Sequence, residues 1–567
     1  MQARKPQALR LARRRFLVIT STSLGGLLWP VRGRGAIAAP PTNNPTAHLG
    51  LDWTREIRWA NVVDVTQAPG ASIMEKLASA QARVAAAGGG VVYFPPGVYR
   101  FPDSIQLKNG VVLRGADPAP GSRAVEENYT LSSQLEFPRY VFKAEGEGTP
   151  TSTAFKGIYL EDPPGASNCG VVNLAINRGH IHFKESADHT CGRRRLVFGC
   201  VLRNAARAWD TVPNLQIGQK PWQRWTVGYM NAAIDVKSAE DALIANNRLP
   251  RSGEDNFTMN GYVLLDRSRK PVEVDGVVFD YDNRAGIYLN HYGIGGPGGQ
   301  GPDGTPETHP FGFRKGLIIR DNYVFNTGRC AIGFCGDGVQ CLNNVIRFPR
   351  GVIRKTVTGQ HLSAGSSTND NRAVEMRGWR WVVSGNDYEV HRNIAADGIY
   401  AINDGEGLMH EDHVNSTIKD SVLSRNRGNA YLSLYKTAGI DGLLIEANEI
   451  HIDPGAGGEA AITVDACRVN EPFPCRNVRI LNNTVSGQGI SISGSREGST
   501  GNVIRGNRGV GRPEGKPAYL IRNQANAVVE GNEGFVVETS DWIPHRERRA
   551  LQEAERKRQQ GEKAPRK

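Results

Sequence analysis

A short step, made of an apolar residue, two further residues and an asparagine, recurs from the middle of the chain towards its C-terminal end. Successive steps are separated by 22 to 25 residues or by 35 to 42 residues. Short strands with a period near 22, lengthened by insertions at one corner, are what a β-solenoid requires. The steps are Ile244…Asn247, Phe279…Asp282 (with Asp in place of Asn), Ile319…Asn322, Cys341…Asn344, Val383…Asn386, Leu423…Asn426, Ile445…Asn448, Ile480…Asn483, Ile504…Asn507 and Val529…Asn532.

Asparagine suits the corner of such a coil for two reasons. Its short amide tolerates the left-handed backbone region, and it hydrogen-bonds to nearby backbone groups. Stacked amides also pair between successive coils. We therefore expect these asparagines to be structural. A solenoid of paired helices is excluded because the apolar runs lack the 3.6-residue period.

A different module precedes the repeat. Ser72 and Glu75 form a capping box that opens an alanine-rich helix ending near Ala87. The segments GGGVVYFPPGVYRF and SIQLKNGVVLRG follow and read as short strands separated by turns. We expect the helix to cover the first coil of the solenoid, where strand edges would otherwise be exposed.

These segments, over roughly residues 60–115, resemble the opening of the pectate lyase superfamily. The resemblance implies an all-β fold, a single-stranded right-handed parallel β-helix, and we expect it to span residues 50–540. Members of that superfamily include polysaccharide lyases, glycoside hydrolases, epimerases and phage tailspike depolymerases. The fold therefore does not decide the reaction.

The net charge of +12 belongs to the two ends of the chain. Residues 1–40 carry eight basic and no acidic side chains, and residues 545–567 carry nine basic and four acidic ones. The rest has a net charge of −1, which argues against a nucleic-acid partner. Residues 1–38 read as a twin-arginine-like export signal, with cleavage near Ala38 and Ala39. We expect a periplasmic or secreted monomer without a membrane span, ending in a charged tail, 541–567, that is helical or disordered.

The second strand of each coil defines a surface. We align the coils by inward apolar pairs that begin with Ile234/Val236 and continue through Ile332/Phe334 and Val374/Met376. Period-2 alternation then places the residues between and after these pairs on the outer face. A register error of one residue would exchange the two faces.

Titratable residues of three adjacent coils converge on that outer face, and they are our candidate catalytic residues. Carboxylates beside basic groups suit two reactions on a sugar. In a β-elimination, Lys436, Tyr435 or His410 acts as base or acid. Arg377 or Lys436 neutralises the charge beside a uronate carboxylate. In a hydrolysis, Asp404 works with a second carboxylate, Glu375, Glu406 or Glu411. The candidates are Glu375, Arg377, Asp404, Glu406, His410 and Lys436.

The same face supplies candidate substrate-binding residues. Tyrosine rings stack on sugars, and neighbouring polar groups orient them. The candidates are Asn290, His291, Asp337, Tyr400, Tyr435 and Asp465. We expect a lyase that cleaves an acidic polysaccharide, with a glycoside hydrolase and a non-catalytic glycan-binding or adhesive β-helix as alternatives.

Metal and cysteine chemistry receive weaker support from the sequence. The sequence establishes no cofactor. The residues His410, Glu411, Asp412 and His413 could bind calcium or zinc, but their spacing matches no established ligand motif. Cys467 and Cys475 bracket a short loop and are the best candidates for a disulfide. Cys330, Cys335 and Cys341 are interpreted as stacked core cysteines rather than as a zinc site.

Overall fold

The computed structural model describes part of the 567-residue chain, and every described residue belongs to one compact unit, Pro40–Lys567. The predicted export signal, 1–38, lies outside the described residues. These are 40–138, 156–160, 166–183, 192–203, 209–212, 216–217, 220–221, 224–227, 232–236, 239–249, 262–264, 273–274, 277–278, 280–281, 285–289, 316–325, 330–347, 372–389, 397–402, 417–435, 437, 439–452, 460–468, 471–512, 514–515, 517–543, 547, 554 and 558.

The predicted capping helix is present as α1, Ile73–Ala86. The Ser72 hydroxyl accepts a hydrogen bond from the Glu75 amide, and the Glu75 side chain accepts one from the Ser72 amide, which completes the capping box. Leu77 and Val84 lie on the buried face of α1 and pack into the core of the first coils. The helix therefore covers the N-terminal end of the solenoid, as predicted.

Three parallel sheets form the body of the molecule. The first sheet comprises Val62–Asp64, Gly90–Phe94, Val111–Gly115, Cys169–Val172, Gly192–Phe198, Ala239–Ala245, Leu317–Arg320, Gln340–Leu342, Val382–Ser384, Ile418–Ser424, Ile440–Glu446, Pro474–Leu481, Val503–Arg505 and Val528–Glu530, with Ser495–Thr500 as a side branch. The second sheet comprises Gly97–Arg100, Ser133–Glu136, Ala175–Asn177, Val201–Arg203, Arg248–Leu249, Tyr323–Phe325, Val345–Arg347, Asp387–Glu389, Arg427–Gly428, Glu449–His451, Thr484–Ser486 and Arg508–Val510. The third sheet comprises Ile105–Leu107, Lys156–Leu160, Gly179–Phe183, Ala232–Val236, Ala285–Leu289, Cys330–Asp337, Arg372–Trp379, Asp397–Ile402, Tyr431–Tyr435, Ala460–Asp465, Gly489–Ser493, Tyr519–Gln524 and Phe535–Thr539.

Each coil visits the three sheets in the same order. After Leu317–Arg320 in the first sheet, two corner residues lead into Tyr323–Phe325 in the second sheet. The chain continues through Cys330–Asp337 in the third sheet and returns to the first sheet at Gln340–Leu342. Because consecutive coils pair in parallel in all three sheets, this is the predicted right-handed parallel β-helix.

The corner between the first and second sheets carries an amide ladder, as the repeat predicts. Nine asparagines are joined by eight side-chain hydrogen bonds, each donated by Nδ2 to Oδ1 of the next asparagine over 2.9–3.0 Å. Asn386 shows the pattern, since its Nδ2 also donates to the Cys341 carbonyl and its Oδ1 also accepts from the Asn344 backbone amide. The side-chain amides of the ladder interior are thus satisfied without water.

One reason given for asparagine at the corner is wrong. The ladder asparagines do not occupy the left-handed region; the residue before each one does. That preceding residue has φ of 55° at Asp321, 53° at Asn343, 68° at Gly385, 54° at Arg425 and 54° at Ala447. The ladder residue is selected for its amide, and the residue before it for the left-handed backbone.

The prediction that the step Phe279…Asp282 forms a corner of the repeat is wrong, because the asparagine ladder passes it by. Asn247 donates directly to Asn322 over 3.0 Å, although 75 residues separate them in sequence. The first sheet passes from Ala239–Ala245 straight to Leu317–Arg320. The intervening chain forms insertions into one coil rather than a coil of its own.

The core is a stack of apolar side chains enclosed by the three sheets. In the third sheet the predicted inward register is confirmed, because Ile332, Val374, Ile399 and Leu432 pair in succession and are fully buried. A second apolar cluster lies where Trp59 and neighbouring residues of the N-terminal segment cover the first sheet. That segment contains the short 3₁₀ helices Ala47–Leu49 and Asp52–Glu56, and a third follows at Val65–Gln67.

Cys467 and Cys475 do not form the expected disulfide. Cys475 points into the core and is fully buried, whereas Cys467 is half-buried in a hairpin outside the coils. Cys341 is buried in the core, as predicted, while the side chains of Cys330 and Cys335 lie outside the description. The two thiols of the proposed pair therefore lie on different strands, one in the hairpin and one facing the core.

Smaller elements decorate the coils. Four antiparallel strands, Trp209–Val212, Arg224–Val227, Tyr262–Leu264 and Asp280–Tyr281, form a separate sheet, and there are three hairpin pairs, Gln216–Ile217 with Lys220–Pro221, Glu273–Val274 with Val277–Val278, and Cys467–Arg468 with Glu471–Pro472. In the charged tail, the described residues Glu547, Ala554 and Arg558 are helical and exposed. None of the helices in the described part of the chain has the length and apolarity to cross a membrane.

Candidate functional site

One row of register positions runs along the outer face of the third sheet, and we call it the polar column. Each position pairs with the next across adjacent coils, so the row is continuous from the first strand of the sheet to the last. The positions are Gln106, Tyr159, His182, Asp235, Tyr288, Gly333, Glu375, Tyr400, Ser433, Thr463, Ser491, Arg522 and Glu538.

Several polar residues of this column are buried, which is unusual for the outer face of a solenoid. Asp235 and Glu375 have no exposed surface, and His182 and Ser433 are 2 % and 1 % exposed. Burying a charged side chain costs several kcal/mol unless partners compensate. Burial of this kind concentrates at functional sites. The column therefore contains the strongest candidates for a site.

The first charged group of the column is the arginine cluster, made of Arg372, Glu375 and Arg377. The Arg377 Nη1 atom lies 3.0 Å from Glu375 Oε1, and Arg372 Nη1 contacts Glu375 Oε2. Glu375 and Arg377 stand two residues apart in Arg372–Trp379 and therefore share its outer face. Arg372 begins the strand three residues before Glu375, at a position of opposite alternation, and its side chain reaches the same carboxylate. One carboxylate thus holds two guanidinium groups, as the predicted closeness of Glu375 and Arg377 requires.

The second charged group is the histidine cluster, made of Tyr159, His180, His182 and Asp235. His182 Nδ1 lies 3.5 Å from Asp235 Oδ2, and the two residues pair across adjacent strands. The Tyr159 ring stacks on the His182 ring with a centroid distance of 5.9 Å, and it meets the His180 ring edge-on at 5.1 Å. A carboxylate therefore lies beside an imidazole that packs against a phenol.

A glycine makes room for this cluster. A Cβ atom at Gly157 would lie 2.5 Å from the His180 carbonyl oxygen and 3.0 Å from its Nδ1 atom. Any side chain at this position would displace His180, and with it the ring against which Tyr159 packs. Tyr159 is only half-buried, whereas both histidines are almost fully buried, so the cluster reaches solvent through the tyrosine.

Most of the predicted catalytic residues cannot be compared with the structure. Asp404, Glu406, His410 and Lys436, and the predicted substrate-binding residues Asn290 and His291, lie outside the described residues. Tyr400 is described only as a strand position, in register with Glu375. These assignments stay predictions.

Tyr435 and Asp465 lie on the outer face of neighbouring coils, and both side chains are half-buried. They stand one outward position further along their strands than the polar column, in the register that passes through Arg377. Asp337 lies elsewhere, at the end of its strand, where Arg380 Nε binds Asp337 Oδ1 over 2.7 Å. This hydrogen bond, donated by Arg380 to Asp337, raises the pKa of the Arg380 guanidinium and ties the carboxylate to the corner of the coil.

The sequence interpretation did not select the histidine cluster. The segment GHIHF carries His180 and His182 two residues apart on a strand, and such residues always share a face. That spacing is a usable signal, although the contacts with Tyr159 and Asp235 depend on coil alignment. Within the described ranges, no group of three or more His, Cys, Asp or Glu side chains is placed to hold a metal ion.

No protein-family model matches the chain, and no curated protein matches it. Comparison with solved structures finds parallel β-helix proteins. PfbA, a surface adhesin of Streptococcus pneumoniae, is 12 % identical with a TM-score of 0.40, covering 85 % of this chain and 93 % of its own. A PL6 alginate lyase in complex with a trisaccharide is 12 % identical with a TM-score of 0.40, covering 86 % of each chain. A GH87 alpha-1,3-glucanase from Streptomyces thermodiastaticus is 14 % identical with a TM-score of 0.36, covering 86 % of this chain and 70 % of its own.

Proposed function

We propose that the protein is an exported polysaccharide lyase that cleaves an acidic polysaccharide by β-elimination along the polar column. The observation that supports this best is the histidine cluster, in which buried Asp235 faces the imidazole of His182 and a half-exposed tyrosine packs beside it. A carboxylate that orients an imidazole is an arrangement typical of general bases.

The reaction divides between two groups of this cluster. His182 Nε2 accepts the proton from the carbon beside the uronate carboxylate, and the electron pair of that C–H bond forms the new C=C bond. The bond to the glycosidic oxygen breaks, and the Tyr159 hydroxyl donates its proton to the departing oxygen. Proton exchange with solvent then restores neutral His182 and the Tyr159 phenol. Asp235 is a positioning residue, since its carboxylate lies against the Nδ1 side of the ring.

The earlier candidates keep roles in the same proposal. Lys436 is the cation that balances a substrate carboxylate, and Tyr435 is a sugar-stacking group. Glu375 is a positioning residue for the arginines rather than an acid, because Arg377 and Arg372 occupy its two oxygens. Asp404, Glu406 and His410 remain candidates for contacts with the reacting sugar.

One experiment tests the reaction class. The mature protein is incubated with polygalacturonate, polymannuronate and a neutral glucan, and ultraviolet absorbance and reducing ends are followed together. A lyase generates the absorbance of an unsaturated uronate. Reducing ends without that absorbance indicate the glycoside hydrolase that would use Asp404 with a second carboxylate. Binding without either product indicates the adhesive β-helix and overturns the enzymatic proposal.

A further inference from the structure

The arginine cluster and the histidine cluster occupy the same column but different coils. Four coil steps separate His182 from Glu375, through Asp235, Tyr288 and Gly333. At the strand spacing of a parallel sheet this corresponds to about 19 Å. A single sugar ring does not bridge such a distance, so the two clusters contact different units of any bound polymer.

We propose that the arginine cluster is a carboxylate-binding subsite that takes one uronate unit of a polymer several units away from the bond that is cleaved. This inference rests on the proposed function for the position of the cleaved bond, but not for the binding of the acidic chain. It assigns Arg372 and Arg377 to recognition, separate from proton transfer.

The chemistry of the cluster favours recognition. Arginine stays protonated in proteins and presents five N–H donors in a planar fork, which suits bidentate contact with a carboxylate. Glu375 fixes the two guanidinium groups side by side from within one strand. A substrate carboxylate therefore meets donors that are already oriented, which lowers the entropy lost on binding.

The surroundings of the cluster are consistent with an entering chain. Gly333 occupies the column position directly before Glu375, and it brings no side chain against Glu375 from that direction. The Arg372 side chain keeps 12 % of its surface exposed, more than the 4 % of Arg377. The polymer would thus approach along the column and contact Arg372 first.

The consequence is a dependence on chain length. A polymer reaches both clusters at once, whereas a trisaccharide bound at the histidine cluster does not reach the arginines. For Arg377→Ala we expect KM on polygalacturonate or polymannuronate, whichever the protein cleaves, to rise about 10-fold to 100-fold, with kcat almost unchanged. For a trisaccharide of the same uronate we expect kcat/KM to stay within about 2-fold of the unaltered protein.

The matched control is Arg427→Ala. Arg427 also pairs with a carboxylate, that of Asp387, but on the second sheet and away from the column. The Arg427→Ala variant should keep the kcat and KM of the unaltered protein on both the polymer and the trisaccharide. Arg377→Lys keeps the charge and loses the fork, so we expect a smaller rise in KM, and thermal unfolding of each variant reports on folding. Equal losses on polymer and trisaccharide in a folded Arg377→Ala variant would overturn the inference.

Binding measured without turnover separates this inference from the proposed function. Affinity electrophoresis in gels containing the uronate polymer should retard the unaltered protein and the Arg427→Ala variant more than Arg377→Ala. If the protein cleaves nothing but shows this difference, the lyase proposal is wrong and the subsite stands. If it cleaves the polymer while Arg377→Ala binds and cleaves it normally, the subsite is wrong and the lyase stands.

Discussion

The β-helix buries polar side chains in two regions, and they follow opposite rules. At the asparagine corner the same residue type makes the same hydrogen bonds in nine coils. Along the polar column the residue changes from coil to coil and includes charged groups such as Asp235 and Glu375. Repetition marks the region that holds the coils together, and irregularity marks the region where substrate chemistry is expected.

The lengths of the connections follow the same division. The first and second sheets are joined by two residues in coil after coil, so no insertion interrupts the ladder. The long connections 204–231, 250–284 and 348–371 lead into the third sheet, and 290–316 and 403–417 lead out of it. Insertions therefore accumulate at the two edges of the polar column, where functional loops are usually found on a rigid scaffold.

The largest change in stability is expected inside the ladder. Asn386→Ala removes an amide that satisfies both nitrogens of Asn344, the Cys341 carbonyl and Asn426 Oδ1. Leaving several buried groups unsatisfied should lower the free energy of unfolding by about 3 to 5 kcal/mol. Urea unfolding measures this loss in the free energy of unfolding. The control is Asn532→Ala at the half-exposed end of the ladder, where about 1 kcal/mol is expected; equal losses at both positions contradict a cooperative ladder.

The largest change in activity is expected in the column. His182→Asn keeps an N–H for Asp235 but removes the proposed base, so kcat on the uronate polymer should fall about 10²-fold to 10⁴-fold. The free energy of unfolding should change by less than in Asn386→Ala. His451→Asn is the control, because His451 lies on the second sheet and hydrogen-bonds only through Nδ1 to Ser486 within the described contacts. Unchanged turnover of the His182 variant would remove the histidine cluster from the mechanism.

The residue before each ladder asparagine gives a finer test of the corner. Gly385→Ala places a Cβ 2.3 Å from Asn343 Oδ1 at a φ of 68°, so a loss of about 2 to 4 kcal/mol is expected. Ala447→Gly relieves a left-handed alanine at φ 54° and should stabilise the fold by about 0.5 to 1 kcal/mol. Thermal unfolding of the two variants in parallel checks that Gly385→Ala lowers the stability and that Ala447→Gly raises it. A stabilised Gly385→Ala variant would contradict the corner geometry.

The smallest expected effect is a difference in reactivity between buried and half-buried cysteine thiols. Burial raises the pKa of Cys200, Cys341 and Cys475 to about 12, which keeps these thiols protonated and unreactive at pH 8. Cys467 is half-buried outside the coils. Iodoacetamide should therefore label Cys467 first among the described cysteines, as read by mass spectrometry of peptides. Labelling of Cys341 at the rate of Cys467 would show that the coils open locally.

The fold could be predicted because it rests on local signals that repeat. The apolar-x-x-Asn step marks the corner, and the Ser72–Glu75 capping box marks the helix, whichever insertions lie between the coils. The error at Asp282 has a physical origin, since a single matching step inside an insertion resembles a corner. The left-handed residue was misplaced by one position because backbone conformation and side-chain hydrogen bonding are divided between two neighbouring residues.

The site was predicted only where its members share a strand. Glu375 and Arg377 stand two residues apart, and alternation alone brings them together. His182 and Asp235 are 53 positions apart in sequence and meet because their strands pair in the third sheet. An insertion lies between the two strands, and its length does not indicate their register. The alignment of the coils from the sequence begins at Ile234/Val236 and leaves out the strand Gly179–Phe183, so it does not bring His182 to Asp235.

The ladder has a direction. Each amide donates its hydrogen bond toward the C-terminal neighbour and accepts one from the N-terminal neighbour, beginning where the Cys200 backbone amide donates to Asn247. A coil with this corner therefore brings one side-chain donor and one side-chain acceptor to the ladder. The ladder is as complete after the coil is added as it was before. Duplication or deletion of a whole coil changes the length of the solenoid without creating an unmatched rung. A protein of this design lengthens its third sheet, and with it the polar column, in units of one strand.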